Sequence, residues 1–206
     1  MPVVKPSEER IFLSKHLPEG SVDMIMDCIR LNKVHLKVTR ARSGKLGDYI
    51  YNKNGIKHTI SINHNLHPFQ FLITLLHELA HMMVREKYKK RVLPHGPEWN
   101  HEFRMISMPF IAAAVFPENV KLAFERHTSK GYASTSVDME LMLVLRSYEN
   151  KPKVATISDL SNGTVFIYNG RLFRKVDLVR KRYRCISLDN NRIYLFSPLA
   201  EIKEAV

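Results

Sequence analysis

The stretch from His67 to Lys87 constrains this 206-residue chain more than any other. Pro68 suits a first helical position, where its missing N–H costs nothing. Phe69, Leu72, Ile73, Leu76, Leu79, Ala80 and Met83 then recur at helical spacing and line one broad face. The positive run from Lys87 to Arg91, including Lys89, Lys90 and Arg91, reads as a cap on the C-terminal end. Such a helix belongs in a core, yet it carries His77, Glu78 and His81 at its centre. Burying those groups without partners costs several kcal/mol each, so the pattern demands one.

The spacing names the partner. Residues i and i+4 share a helix face, so the imidazoles of His77 and His81 can reach one metal ion. Glu78 lies beside them, placed to act on a water at that metal as general base. With ten histidines in the chain, shuffling would produce HExxH about three times in a hundred, and the apolar helical context makes it rarer. A catalytic zinc site takes three protein ligands and leaves one position for water. A metzincin would need Gly at position 84 and His at position 87, where this chain has Val84 and Lys87, so that class is excluded. Glu98 or Glu102 could serve as the third ligand in the manner of a gluzincin. His95 is the better candidate, in a turn (Pro94-His95-Gly96-Pro97) that can fold back to the metal. His101 competes from a turn inside the following helix.

Around this helix, Ser7–His16 and Ser21–Leu31 read as short helices, the second with Val22, Ile25, Met26 and Ile29 at helical spacing. Val34–Arg40 alternates apolar and polar, as a half-buried strand does. Gly47–Asn52 and Ile56–Ile62 flank Lys53-Asn54-Gly55, and Asn-Gly there predicts a type I′ hairpin. A small antiparallel sheet thus precedes His67. Pro97 opens a helix running to Val115, with Pro109 expected to kink it. His127–Val137 is polar and small, the pattern of a linker, and Asp138–Tyr148 forms one more helix. After Lys151-Pro152-Lys153 the pattern turns β-like, through VATIS, TVFIYNGRLFRKV, YRCISL and RIYLFSPL, with turns at Asn169-Gly170 and Asp189-Asn190-Asn191. The expected organisation is α+β: a core over 1–126, a polar linker and helix over 127–152, and a basic β-module over 153–206.

Composition narrows the class. Two cysteines, Cys28 and Cys185, cannot build a disulfide scaffold or a four-cysteine zinc ribbon. The charged start, MPVVKPSEER, lacks the apolar stretch of a signal peptide, and the longest apolar runs fall short of the roughly 20 residues of a membrane span. An intracellular, cytoplasmic location follows, nucleoid-associated or nuclear if DNA is the partner; a membrane partner is not expected. The net charge of +12 favours a polyanionic partner. Half of that excess falls in residues 150–206, which hold 11 Lys+Arg against 5 Asp+Glu.

HELAH, followed by His95-Gly96-Pro97-Glu98-Trp99 and Phe103, resembles the SprT-like/Spartan metalloprotease core, whose third zinc ligand lies in an HG-x-x-W/F element shortly after HExxH. The strand Val34–Arg40, Leu46-Gly47, and Ile60-Ser61-Ile62-Asn63 extend the likeness to about residues 8–125. The resemblance implies a zincin-like core, one Zn²⁺ held by His77, His81 and His95, and Glu78 as the catalytic glutamate. Members of that family include proteases that degrade proteins crosslinked to DNA, and many carry a C-terminal zinc ribbon. Here Cys185 has no cysteine partner nearby, so the module must be held by apolar packing of Val165, Ile167, Phe173, Ile186, Leu188 and Leu195.

In that module Arg171, Arg174, Lys175, Arg180, Lys181, Arg182 and Arg184 are interleaved with Phe173 and Tyr183, the mixture single-strand nucleic-acid binders use. The alternative is a solvated basic hairpin whose aromatics face the core. The expected partners are therefore a protein substrate and DNA. No glycine-rich phosphate loop calls for a nucleotide cofactor. Three functions fit: a DNA-associated zinc endopeptidase, a regulatory zinc peptidase cutting one protein partner without DNA, and a zinc-stabilised nucleic-acid-binding protein with no activity.

Overall fold

The computed structural model describes residues 6–42, 44–88, 92–131, 138–149, 155–202 and 204–205. The chain divides into two compact units, Met1–Glu149 and Asn150–Val206. The first begins with helices α1 (Pro6–Ser14) and α2 (Val22–Leu31), strands β1 (Val34–Thr39), β2 (Gly47–Tyr51) and β3 (His58–Asn63), and helix α3 (Pro68–Lys87). Helices α4 (Pro97–Ala112), α5 (Glu118–Lys130) and α6 (Met139–Arg146) complete it. Lys89, Lys90 and Arg91 lie outside the described residues.

The sheet is mixed rather than antiparallel. Its order is β1-β3-β2, with β2 antiparallel and β1 parallel to β3. Burial explains the order: β3 is buried at five of its six positions, so it takes the centre, and the half-exposed β1 and β2 flank it. The chain between Thr39 and His58 is long enough for β3 to return in the direction of β1. The β2–β3 loop also differs from a two-residue type I′ turn. The Asn52 N–H donates to the Lys57 carbonyl at 2.9 Å, and of Asn54-Gly55 only Gly55 has positive φ (96°).

Helix α3 is buried around almost its whole circumference, with Phe71, Leu75 and Met82 as inaccessible as Leu72 and Leu76. The sheet covers one side and α4 another. His67 caps its start, Nδ1 accepting from the Phe69 N–H. The polar segment after α4 is partly helical: His127–Lys130 close α5, and Gly131 ends it in the left-handed conformation (φ 63°). His127 is buried, with Nδ1 3.0 Å from Asp138 Oδ2, while Asp138 Oδ1 accepts from the Leu141 N–H to cap α6. Helix α6 packs on α5 and so belongs to the first unit. The rest of the expected linker, 132–137, lies outside the described residues. Among the described residues, no helix is long and apolar enough to cross a membrane.

The second unit holds β4 (Val165–Tyr168), β5 (Arg171–Val179), β6 (Arg182–Ser187), β7 (Ile193–Phe196) and β8 (Glu204–Ala205), in the order β7-β6-β5-β4-β8. Asn169 (φ 50°) and Gly170 (φ 77°) form the β4–β5 turn the sequence predicts. Of VATIS, Val154 lies outside the described residues, and the rest makes only an isolated bridge, Thr156 to Glu201, before the short 3₁₀ turn Ile157–Asp159. The core is Ile157, Phe166, Phe173, Cys185, Phe196 and Ile202. Of the expected packing residues only Phe173 belongs to it. Successive side chains on a strand point to opposite faces, and Phe166 pairs directly with Phe173, so Val165 and Ile167 face the other way. Leu188 and Leu195 are 37% and 53% exposed. Phe173→Ala is therefore expected to cost about 3–5 kcal/mol in denaturant unfolding, and Leu195→Ala under about 1 kcal/mol; equal losses would contradict this assignment of faces.

Candidate metal centre

His77 and His81 stand one turn apart on α3, and the turn before α4 brings His95 to them. The Nε2 atoms of His81 and His95 each lie 3.2 Å from His77 Nε2, and the three nitrogens all fall within 4.8 Å of one another. A tetrahedral ion with bonds of about 2.0–2.1 Å holds its ligand atoms about 3.3–3.4 Å apart. The spacing fits that requirement, and three neutral imidazoles are a donor set suited to zinc.

The neighbours fix each group. His95 takes φ 57°, a left-handed conformation costing a non-glycine residue about 1–2 kcal/mol. Asn100 Nδ2 donates to the His95 carbonyl at 3.4 Å. Gly131 leaves room for that amide, since a Cβ there would come within 3.1 Å of Asn100 Nδ2. Trp99, 1% exposed, underlies the cluster with its ring centroid 4.6, 5.4 and 4.8 Å from those of His77, His81 and His95. Phe103 stacks on Trp99 at 4.8 Å.

Glu78 is buried beside β2. A Cβ at Gly47 would stand 2.8 Å from Glu78 Oε1 and 2.8 Å from Thr74 Cγ2, so only glycine lets the strand approach so closely. The Tyr49 backbone N–H hydrogen-bonds the Glu78 carboxylate. An open cleft of about 410 Å³ runs along these groups, its lining including Asp48, Tyr49, Glu78, His81, Arg85 and His95.

Burial dominates the electrostatics. It pushes His77 down to about 3 and His81 to about 4, and lowers His95 as well, so all three imidazoles are neutral, the form a metal requires. The neighbouring histidines depress His77 and His81 further. Burial, then the Asp48 charge, pushes Glu78 up to about 7, against the pull of Lys45, Arg42 and the Tyr49 N–H. A cation at the histidines would draw it back down.

The other candidate ligands lie elsewhere. His101 is exposed, and Glu102 accepts from Lys87 Nζ (2.7 Å) and Tyr88 Oη (3.2 Å). Glu98 is outside the cluster that could hold an ion. In the second unit the basic candidates separate. Lys175 is buried, with Nζ donating to the carbonyls of Ile157 (2.9 Å) and Leu160 (2.5 Å) and lying 3.8 Å over the Tyr183 ring. It is a core group, which corrects its expected nucleic-acid role. Arg184 pairs with Asp177 (2.6 Å) and Arg171 with Asp189 (3.1 Å). Arg174, Arg180, Lys181 and Arg182 are exposed. Sequence reasoning did not assign Gly47, Asn100 or Arg85. Arg85 had a readable signal, being four residues past His81 on the same helical face.

The buried imidazoles make a pH prediction for the metal-free protein. Unfolded, His77 and His81 titrate near 6.5; folded, near 3 and 4. Between these values the unfolded chain binds more protons, so stability is full above about pH 6.5 and falls as pH drops toward 4. The two together contribute a slope of about 2.7 kcal/mol per pH unit, which Glu78, raised to about 7 on folding, opposes by about 1.4 kcal/mol per pH unit between pH 4.5 and 7. Urea unfolding from pH 7 to 5 should show the net positive slope, and that slope should drop by about the histidine contribution in His77→Gln/His81→Gln.

The model of the SprT-like family matches residues 19–121, half of the chain. No curated protein and no solved structure matches it. The matched segment carries the three histidines, Glu78, Gly47 and Trp99 within one compact unit, and the chain belongs to the SprT-like family.

Proposed function

We propose that this protein is a zinc-dependent endopeptidase of SprT-like type. The observation that carries the reading is the convergence of three neutral imidazole nitrogens beside a buried carboxylate, with Glu78, His81 and His95 bordering one cleft. His77, His81 and His95 would hold one Zn²⁺, which when bound supplies a Lewis acid for the peptide carbonyl and acidifies water. Glu78 takes the proton from the attacking water and passes it to the departing amine nitrogen. Strand β2 ends its sheet, and Asp48 and Tyr49 line the same cleft, so an extended substrate segment can lie along its backbone.

Association with DNA is part of the proposal, and the substrate class would be DNA-bound or DNA-crosslinked protein. It draws on the charge of residues 150–206 and on exposed Arg174, Arg180 and Arg182. The second reading, a peptidase directed at one protein partner without DNA, draws on a different observation. Phe173 is buried rather than offered for base stacking, while Leu172, Ile193 and Leu195 are exposed.

Cleavage of a basic DNA-binding protein by the zinc-loaded chain, with and without single-stranded DNA, tests both. Glu78→Gln should retain its zinc and lose at least about 10²-fold in rate; near-full activity would overturn the mechanism. Cleavage only with DNA supports the first reading, and DNA-independent cleavage the second. Gly47→Ala gives a further check. The added methyl displaces the Glu78 carboxylate, so kcat should fall about 10²-fold with zinc content unchanged; wild-type kcat would mean that β2 does not set the position of Glu78.

A further inference from the structure

Arg85 lies one turn beyond His81 and two beyond His77 on α3, and it lines the cleft that holds Glu78. Its Cζ is 4.4 Å from the centroid of the Tyr51 ring on β2. The guanidinium therefore reaches from the helix to the edge strand, downstream of the histidine cluster. It is exposed, and the carboxylates around it are already engaged. Glu86 pairs with Lys57 (2.9 Å) and His58 (3.4 Å), Asp48 with Lys45 (2.8 Å), and Glu102 with Lys87 (2.7 Å). Among the described residues none forms an ion pair with Arg85. A cation steadied from behind by an aromatic face, unpaired, in a cleft a peptide would cross, presents a planar fork suited to a carboxylate.

We infer that Arg85 is a specificity residue that selects an acidic side chain in the substrate. The helix rises 1.5 Å per residue, which places Arg85 about 6 Å past His81 and about 10 Å past Glu78. An extended chain advances about 3.3 Å per residue. The acidic residue therefore falls about two to three positions to one side of the scissile bond. The cut itself rests on the peptidase reading; the binding preference rests only on the cleft.

The test uses the full-length, zinc-loaded protein and a mixed peptide library, with cut sites read by mass spectrometry. Asp and Glu should be enriched about tenfold over Lys at that distance on one side. The acidic-to-lysine ratio should fall to about one in Arg85→Met and invert in Arg85→Glu, with both variants melting as folded proteins. Cleavage whose ratio is the same in Arg85→Met, or a wild-type preference for Lys, would overturn the inference. Should the wild type cut nothing, the peptidase reading fails, and binding decides the matter. Anisotropy with Glu78→Gln should then show a Glu-containing peptide binding about tenfold tighter than its Lys twin, with the difference lost in Glu78→Gln/Arg85→Met. Equal binding of the twins would overturn the proposal.

Discussion

The site in the first unit depends on holding three uncharged imidazoles with their ring nitrogens converging on one point. Their Nε2 atoms stand 3.2 Å apart in two of the pairs, and half-burial keeps them neutral while His81 and His95 still reach the open cleft. That arrangement is poor for stability and good for binding a cation, since neither deprotonation nor rearrangement is then needed. The surroundings supply the rigidity. Helix α3 is packed on nearly every side and fixes two of the rings, while the third comes from a left-handed residue whose carbonyl is tied down by Asn100. Trp99 lies against all three.

A second constraint is the contact between β2 and α3. Gly47 sits over Glu78 and Tyr51 over Arg85, so strand and helix run side by side in the same sense. One edge strand therefore does two things. Its missing Cβ admits the carboxylate, and its Tyr49 N–H holds it. Four residues on from Gly47, the Tyr51 ring steadies the Arg85 guanidinium. Glu78 and Arg85 are positioned by the same backbone register, which makes β2 part of the site rather than a wall beside it.

The parts of this that were legible in the sequence are those where chemistry requires a residue type at a fixed spacing. HELAH could be read because two ligands must share a helix face, and His95 because a turn followed by Pro97 can return to it. Helices α1, α2, α3, α4 and α6 were legible for the same periodic reason, whereas α5 was not, its last turn being polar enough to look like a linker. Strand pairing was not. Nothing local in Val34–Thr39 says that β1 runs parallel to β3, because that follows from which strand is most buried once the sheet is assembled. The side of each strand in the second unit was equally hidden. Val165, Ile167 and Phe166 are all apolar neighbours, and only the register Phe166↔Phe173 decides which of them enters the core. Gly47 looked like any strand glycine until Glu78 was placed beneath it.

The same parity governs how the charge of the second unit should be understood. A count of cations treats Arg171, Lys175 and Arg184 alike with Arg174 and Arg182, but a strand turns alternate residues to opposite faces. Lys175 lands on the inner face beside Phe173 and Cys185, where two carbonyls and an aromatic ring replace its water. The shift in register between Lys175 and Asp177 then brings Asp177 opposite Arg184, and their charges cancel locally. What is left outward on the strands is Arg174 and Arg182 among Leu172, Ile193 and Leu195, with Arg180 and Lys181 exposed in the β5–β6 turn and Phe173 turned in. That surface is aliphatic, fringed by charge. Recognition by stacked bases would need Phe173 and Tyr183 on the other face, which a one-residue change of register would have given.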